Sequence, residues 1–144
     1  FETKLTEYIL NNHLINSDGN DYRYSDYIYN KYTGDINGWA FNLTPSQEYL
    51  KYMSNVLNNC VGASSNYHVD IINDTAYIIH AFKKGQHMCI HINEKGILQA
   101  RTKNNELIDT LGIDAINTLN KYENEIVQKS KLEKENKKYK LQSV

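Results

Sequence analysis

A chain of 144 residues with 40% hydrophobic and 23% charged residues has the size and composition of one globular domain with a buried core. Its net charge of −1 argues against an overall attraction to nucleic acid or to an anionic membrane. Its two cysteines argue against a disulfide framework and predict a cytoplasmic location, and the absence of any run of about 18 apolar residues predicts no membrane span.

The N-terminal third contains a helical pattern and then a tyrosine-rich segment. Because the chain begins with Phe1 rather than Met, we expect it to be a fragment of a longer protein. Residues 1–15 place Leu5 and Ile9 at helical spacing, which predicts a short amphipathic helix. The segment 22–32 interleaves five tyrosines with charged residues. We interpret it as packed, irregular or partly extended structure, with a ligand-contacting surface as the alternative.

A short strand at 39–43 precedes the best helix-start signal of the chain. Thr44 is the predicted N-cap, Pro45 the first helical position, and Gln47 the third residue of a capping box. The helix 45–59 that follows should bury one apolar stripe, formed by Leu50, Met53, Val56 and Leu57.

The middle of the chain predicts a small antiparallel sheet. Residues 67–72 fit a strand or a short helix, whereas 76–82 and 87–92 alternate as strands around a turn at 83–86. A second turn leads into a third strand, 97–101. The predicted fold is therefore α+β, with a small antiparallel β-meander of about three to four strands packed with two or three helices.

The C-terminal part predicts helix and charge. Residues 106–122 form a helical pattern that Gly112 interrupts, and residues 123–144 form a charged helical tail. We predict a single α+β domain over 1–122. His87, Cys89 and His91 share one face of the predicted strand 87–92. The helix from Glu106 is the nearest element in sequence that is able to cover this face.

That row of residues also raises the question of a metal site. His87, Cys89 and His91 carry ligand types suited to zinc and share one face of a strand. An i, i+2, i+4 row spreads its ligands over about 13 Å, too far for one ion. We predict no metal and no cofactor.

A cysteine nucleophile is a second candidate. Cys60 follows the predicted helix, and His68, His80 or His91 would be its base, with Gln99 or Asn105 as orienting group. A position at a helix C-terminus raises rather than lowers a thiol pKa. A structural cysteine and a catalytic one both stay open.

Polar recognition is the third candidate. Gln99 ends an apolar strand, and Arg101, Lys103 and Asn105 follow it. Amide side chains suit a backbone amide or a base edge, although they also satisfy buried backbone groups at a strand end. We predict an accessible concave edge as the functional surface, with the binding residues Cys60, Tyr67, Gln99, Arg101, Lys103 and Asn105.

One motif extends across this region: Thr-Pro-Ser, then Cys-Val-Gly, a Tyr, a pair of Ile, and Gln-Ala-Arg-x-Lys-x-Asn. Its residues are Thr44-Pro45-Ser46, Leu57, Cys60-Val61-Gly62, Tyr67, Ile78-Ile79, Gln99-Ala100-Arg101, Lys103 and Asn105. In this pattern the chain resembles the PcfJ-like family of conjugative plasmids and phages over residues 44–110. Thr102 stands where that family usually places a glycine.

The resemblance implies a mobile genetic element and a role in transfer, maintenance or host interaction, with counter-defence such as anti-CRISPR activity among the expected roles. The predicted function is a binding module that acts on a host or element protein or nucleoprotein. Two alternatives stay open. One is a cysteine-dependent enzyme centred on Cys60, and the other is a nucleic-acid-binding domain supported by the lysine excess after Lys129.

Overall fold

The computed structural model describes residues 21–59, 61–62 and 65–142, with side chains as far as residue 138. The predicted helix at 1–15 and Cys60 lie outside these residues. The elements follow one another as helix α1 (Asp26–Tyr32), strands β1 (Gly34–Ile36) and β2 (Trp39–Leu43), helices α2 (Gln47–Leu57) and α3 (Ser65–Ile72), strands β3 (Tyr77–Lys83), β4 (Gln86–Asn93) and β5 (Gly96–Arg101), and helix α4 (Ile113–Gln142).

The five strands form one antiparallel sheet in the order β1-β2-β3-β4-β5, so every strand pairs with its neighbour in the chain. The predicted α+β class is confirmed. The sequence patterns predicted β2 to β5 but not β1. Asn37 and Gly38, with φ of 52° and 81°, make the tight turn that joins β1 to β2, and Asn-Gly is a strong hairpin signal.

One face of the sheet carries the apolar core. Met88, Ile90 and Ile92 are 0% exposed, as their alternation along β4 predicts. Helix α4 covers this face: the ring of Tyr122 stacks on Phe41 at 4.1 Å between centroids. The Tyr122 hydroxyl also donates to the carbonyl oxygen of Tyr32, which ties α4 to the end of α1.

The opposite face carries the histidines, and α2 and α3 cover it. The Tyr49 hydroxyl of α2 lies 2.6 Å from His80 Nδ1, and the Tyr67 hydroxyl of α3 donates to Gln99. Helix α4 does not cover this face, because its apolar stripe packs against the other face of the sheet.

Several local predictions need correction. Ser46, not Thr44, is the N-cap of α2, since its Oγ accepts from the Tyr49 backbone N–H at 3.1 Å. Thr44 is buried and donates to the Ile78 carbonyl oxygen. The tyrosine-rich segment is not extended but contains α1, which Ser25 caps. The undecided 67–72 segment lies in a helix, α3.

The C-terminal helix begins later than predicted and is continuous with the predicted helical tail. One short 3-10 helix, Lys103–Asn105, precedes the predicted start at 106, and a second, Ile108–Leu111, occupies the start itself, so α4 begins only after Gly112, whose φ is 101°. Helix α4 then continues without a break past residue 122. No helix in the described part of the chain is both long and apolar enough to cross a membrane.

Candidate functional site

A small surface notch, called here the Gln99 notch, brings together most of the predicted binding residues. Tyr67, Gln99, Arg101 and Asn105 line it, and Lys103 does not. Cys60 lies outside the described residues, but its two neighbours in the chain belong to the lining. The remaining lining residues are Asn59, Val61, Ile78, Cys89 and His91.

Sheet register positions the floor of the notch. Gln99 pairs with His91 across β4 and β5, and Arg101 pairs with Cys89. Directly opposed residues of an antiparallel pair point to the same face, so these four side chains share one surface. The Tyr67 hydroxyl closes one side by donating to Gln99 Oε1 at 3.1 Å.

A second polar pair supports this wall. His91 Nε2 lies 3.0 Å from Asp70 Oδ2, and the edge of the His91 ring meets Tyr67 at 5.1 Å between centroids. Because an ionised carboxylate only accepts, the proton of this bond is on Nε2. Sequence reasoning missed Asp70. The only available signal was its position three residues after Tyr67, which places both on one face of α3.

Asn59 and Val61, which follow α2, form the other wall and are held by a local hydrogen bond. Asn58 ends the helix at φ 51°, and the Asn59 side-chain oxygen accepts from the Val61 backbone N–H at 3.1 Å. Gly62 then lies against α2, where a Cβ atom would be 2.5 Å from Lys51 Cα. The loop therefore presents Asn59 and Val61 to the notch in fixed positions.

Asn105 approaches from the turn after β5. Asn104 and Asn105 adopt φ of 61° and 59°, a left-handed conformation that asparagine tolerates better than most residues. Asn58 Nδ2 donates to Asn104 Oδ1 at 3.1 Å, which joins this turn to the loop after α2. Thr102 is buried and donates to the His87 carbonyl oxygen.

Size limits what the notch can hold. Its volume is about 30 Å³. That is close to the share of one water molecule in the liquid, whereas sites for small-molecule ligands occupy roughly 300–1,000 Å³. The notch accommodates one functional group of a partner rather than a complete metabolite.

The histidine row does not converge on one point. His80 Nε2 lies 3.0 Å from His87 Nδ1, while His91 bonds to Asp70. Burial lowers the pKa of His80 to about 3, and burial together with the charge of Lys103 lowers the pKa of His87 to about 4. In the region the structure describes, no group of three or more His, Cys, Asp or Glu residues could hold a metal ion.

A second, larger depression, the tyrosine groove, lies beside α1. Its volume is about 770 Å³, within the range of ligand sites. Tyr24 and Tyr32 pack against Tyr77 in its wall, and Lys31 bonds to Glu133 at 3.4 Å. The tyrosine-rich segment that sequence reasoning named as a candidate surface therefore borders a real depression.

Comparison with known proteins gives no match: no protein-family model, no curated protein and no solved structure corresponds to this chain. Its function is therefore inferred from its own residues and their geometry.

Proposed function

We propose that this chain is a binding module that takes up one exposed group of a protein or nucleoprotein partner in the Gln99 notch. One observation carries the proposal. Four predicted binding residues from three separate segments, namely Tyr67, Gln99, Arg101 and Asn105, line a surface notch of about 30 Å³.

The size of the notch favours a macromolecular partner over a small-molecule substrate. A partner that buries a standard interface elsewhere needs only one group to enter a pocket, because a few anchored residues supply most of the binding energy. The polar lining is already ordered by the Tyr67–Gln99 bond, so little conformational entropy is lost when a partner docks.

The proposal also includes the genetic origin of the protein and its location in the cell. The resemblance of residues 44–110 to the PcfJ-like family supports a mobile genetic element and a role in transfer, maintenance or host interaction, including counter-defence. A cytoplasmic setting is supported by the low cysteine content.

Removal of the notch amides tests the proposal. Gln99→Ala and Asn105→Ala should each weaken partner binding by about 1–3 kcal/mol, or roughly 5- to 150-fold, because polar groups of the partner lose their hydrogen bonds. The measurement is affinity capture from host lysate, followed by calorimetry with the purified partner. Leu98→Ala is the matched control, since Leu98 is 56% exposed and is not a lining residue.

The fold should persist in both variants, with melting temperatures close to that of the parent chain. Unchanged affinity in both variants would contradict the proposal. Unfolding of both would identify Gln99 and Asn105 as structural clamps, and would move the search to the tyrosine groove.

Thiol chemistry is a second candidate, favoured by His91, which bonds to Asp70 and lines the notch together with Cys89. An imidazole held by a carboxylate is the usual partner of a nucleophilic thiol. Adding Cys60→Ala and Cys89→Ala to the capture series separates the two functions. If either thiol variant loses biological effect while it retains both its stability and its partner, the binding module is not the whole function.

A further inference from the structure

Two side-chain amides that line the notch, those of Asn59 and Gln99, have their oxygen occupied by a hydrogen bond and retain an NH₂ donor. Asn59 Oδ1 accepts from the Val61 backbone N–H at 3.1 Å. Because a backbone N–H can only donate, this bond fixes the orientation of the amide, and Asn59 Nδ2 is left as a donor without a partner among the described residues.

Gln99 repeats this arrangement on the opposite wall. Its Oε1 accepts from the Tyr67 hydroxyl at 3.1 Å, which leaves Nε2 as a second donor at the notch. Two amides from distant segments of the chain therefore each retain an NH₂ donor, and both residues line the same notch.

Arg101 adds a positive charge. Its Nη1 donates to the Ala100 carbonyl oxygen at 2.9 Å, and the other guanidinium N–H groups have no hydrogen-bond partner in the part of the chain described. The side chain is half-buried, and no ion pair joins it to an acidic residue there. The nearby acid, Asp70, is occupied by His91.

We infer that the notch binds a carboxylate, supplied by an Asp or Glu side chain of a protein partner. This inference rests on the proposed function and names the group that enters the site. A carboxylate only accepts hydrogen bonds, matches the two-pronged donor geometry of arginine, and is small enough for a space of about 30 Å³.

The observations favour a carboxylate over a nucleic-acid phosphate. A polynucleotide is held by several cations along its backbone, so its binding needs a row of lysines or arginines. Among the described residues that line the notch, Arg101 is the only Lys or Arg, two of the donors beside it are neutral amides, and the whole chain has a net charge of −1.

Side-chain amide NMR tests this directly. The probe is the acetylated, amidated peptide Gly-Glu-Gly, with Gly-Gln-Gly as its uncharged match, titrated into the isotope-labelled full chain. We expect the Glu peptide, and not the Gln peptide, to shift the NH₂ signals of Asn59 and Gln99. Absence of any shift from the Glu peptide up to its solubility limit would overturn the inference.

Asn59→Asp is the decisive variant. It keeps an oxygen that accepts from the Val61 N–H, so the loop stays closed, but it replaces the NH₂ donor with an oxygen that repels a carboxylate. Its affinity for the Glu peptide should fall at least tenfold, and that of Arg101→Gln at least fivefold, while Leu98→Ala binds as the parent chain does. If Asn59→Asp binds the Glu peptide as tightly as the parent chain does, the inference fails.

Two further arms distinguish the possible failures. An octathymidylate oligonucleotide that shifts the same signals at lower concentration than the Glu peptide would replace the carboxylate with a phosphate. If the peptide binds but Gln99→Ala does not change the affinity for the partner, the proposed function fails and the carboxylate inference is retained. If Gln99→Ala weakens the partner and the peptide never binds, only the carboxylate inference fails.

Discussion

At the residue scale, burial strongly perturbs the electrostatics of two neighbouring histidines, His80 and His87. His80 is 0% exposed and lies between the Tyr49 hydroxyl and the His87 ring. A charged imidazole here would lose its hydration and face a second histidine, and Lys103 adds a nearby positive charge. Both rings are therefore neutral at physiological pH.

This pair makes stability depend on pH. The folded-state pKa values, about 3 for His80 and about 4 for His87, lie below the ordinary 6.5, so the unfolded chain binds protons first. Stability is therefore complete above pH 6.5 and is lost as pH falls toward 4, by up to roughly 1.4 kcal/mol per pH unit for each histidine.

Urea denaturation between about pH 7 and about pH 5 measures this slope. His87→Gln should reduce the dependence of the free energy of unfolding on pH by up to the contribution of one histidine. Gln86 is an exposed neighbour on β4, so Gln86→Ala should leave this dependence unchanged. Equal slopes for His87→Gln and the parent chain would show that His87 already titrates normally in the folded state.

At the element scale, the loop after α2 connects helix packing to the notch. Position 62 requires glycine because the backbone approaches α2 too closely for a side chain. A Cβ atom added to Gly62 would lie 2.5 Å from Lys51 Cα. Val61, the preceding residue, is buried and lines the notch. Displacement of this loop would therefore change the notch as well as the core.

Gly62→Ala should destabilise the fold by roughly 1–3 kcal/mol, since the contacting atoms are backbone and cannot rotate away. Gly34→Ala is the control, because a Cβ atom there meets nothing within 4 Å. The comparison is between the urea denaturation midpoints of the two variants, provided that their m-values are equal. Equal midpoints would mean that the loop moves away from α2 at little cost.

The edge of the sheet at β5 is closed by the protein itself. The Ile97 backbone N–H donates to Glu123 Oε2 at 2.7 Å, and a register shift between His91 and Ile92 interrupts the ladder. Arg101 Nη1 donates a hydrogen bond to the Ala100 carbonyl oxygen. These features are typical of edges protected against strand addition, which favours recognition through side chains at the notch.

At the scale of the whole molecule, α4 joins the predicted domain to the predicted tail. Residues beyond 122 still pack: Ile126 is 1% exposed and Ser130 is 3% exposed. Glu123 reaches β5, and Glu133 bonds to Lys31 of α1. The packed unit therefore extends at least two further helical turns into the segment assigned to the tail.

Truncation tests this extent. Removal of residues 123–144 should cost at least roughly 2 kcal/mol, because the buried Ile126 side chain is lost along with its neighbours. Removal of residues 139–144 alone should change the melting temperature little. Thermal unfolding of both truncated chains provides the comparison. A 1–122 chain as stable as the parent would instead support the domain boundary that the sequence suggested.

The sequence by itself predicted the α+β class, four of the five strands and four of the residues that line the notch. Alternation of Met88, Ile90 and Ile92 identifies a strand with one buried face, and turn residues set its neighbours. Gln99 and Arg101 were identified as candidates because polar residues follow an apolar strand. Such patterns are local, so they can be read without knowledge of the partners.

Only the tertiary structure decided which helix covers which face and which polar groups meet. Asp70 bonds to His91, and Asn59 and Gln99 line the same notch. In both cases the residues are far apart in the sequence, and no periodic pattern predicts that they meet. The choice of Ser46 over Thr44 as N-cap also depended on a distant contact, the bond from Thr44 to the Ile78 carbonyl. The physical reason is the same in each case: a side chain is placed by the surface that packs against it, and that surface comes from another part of the chain.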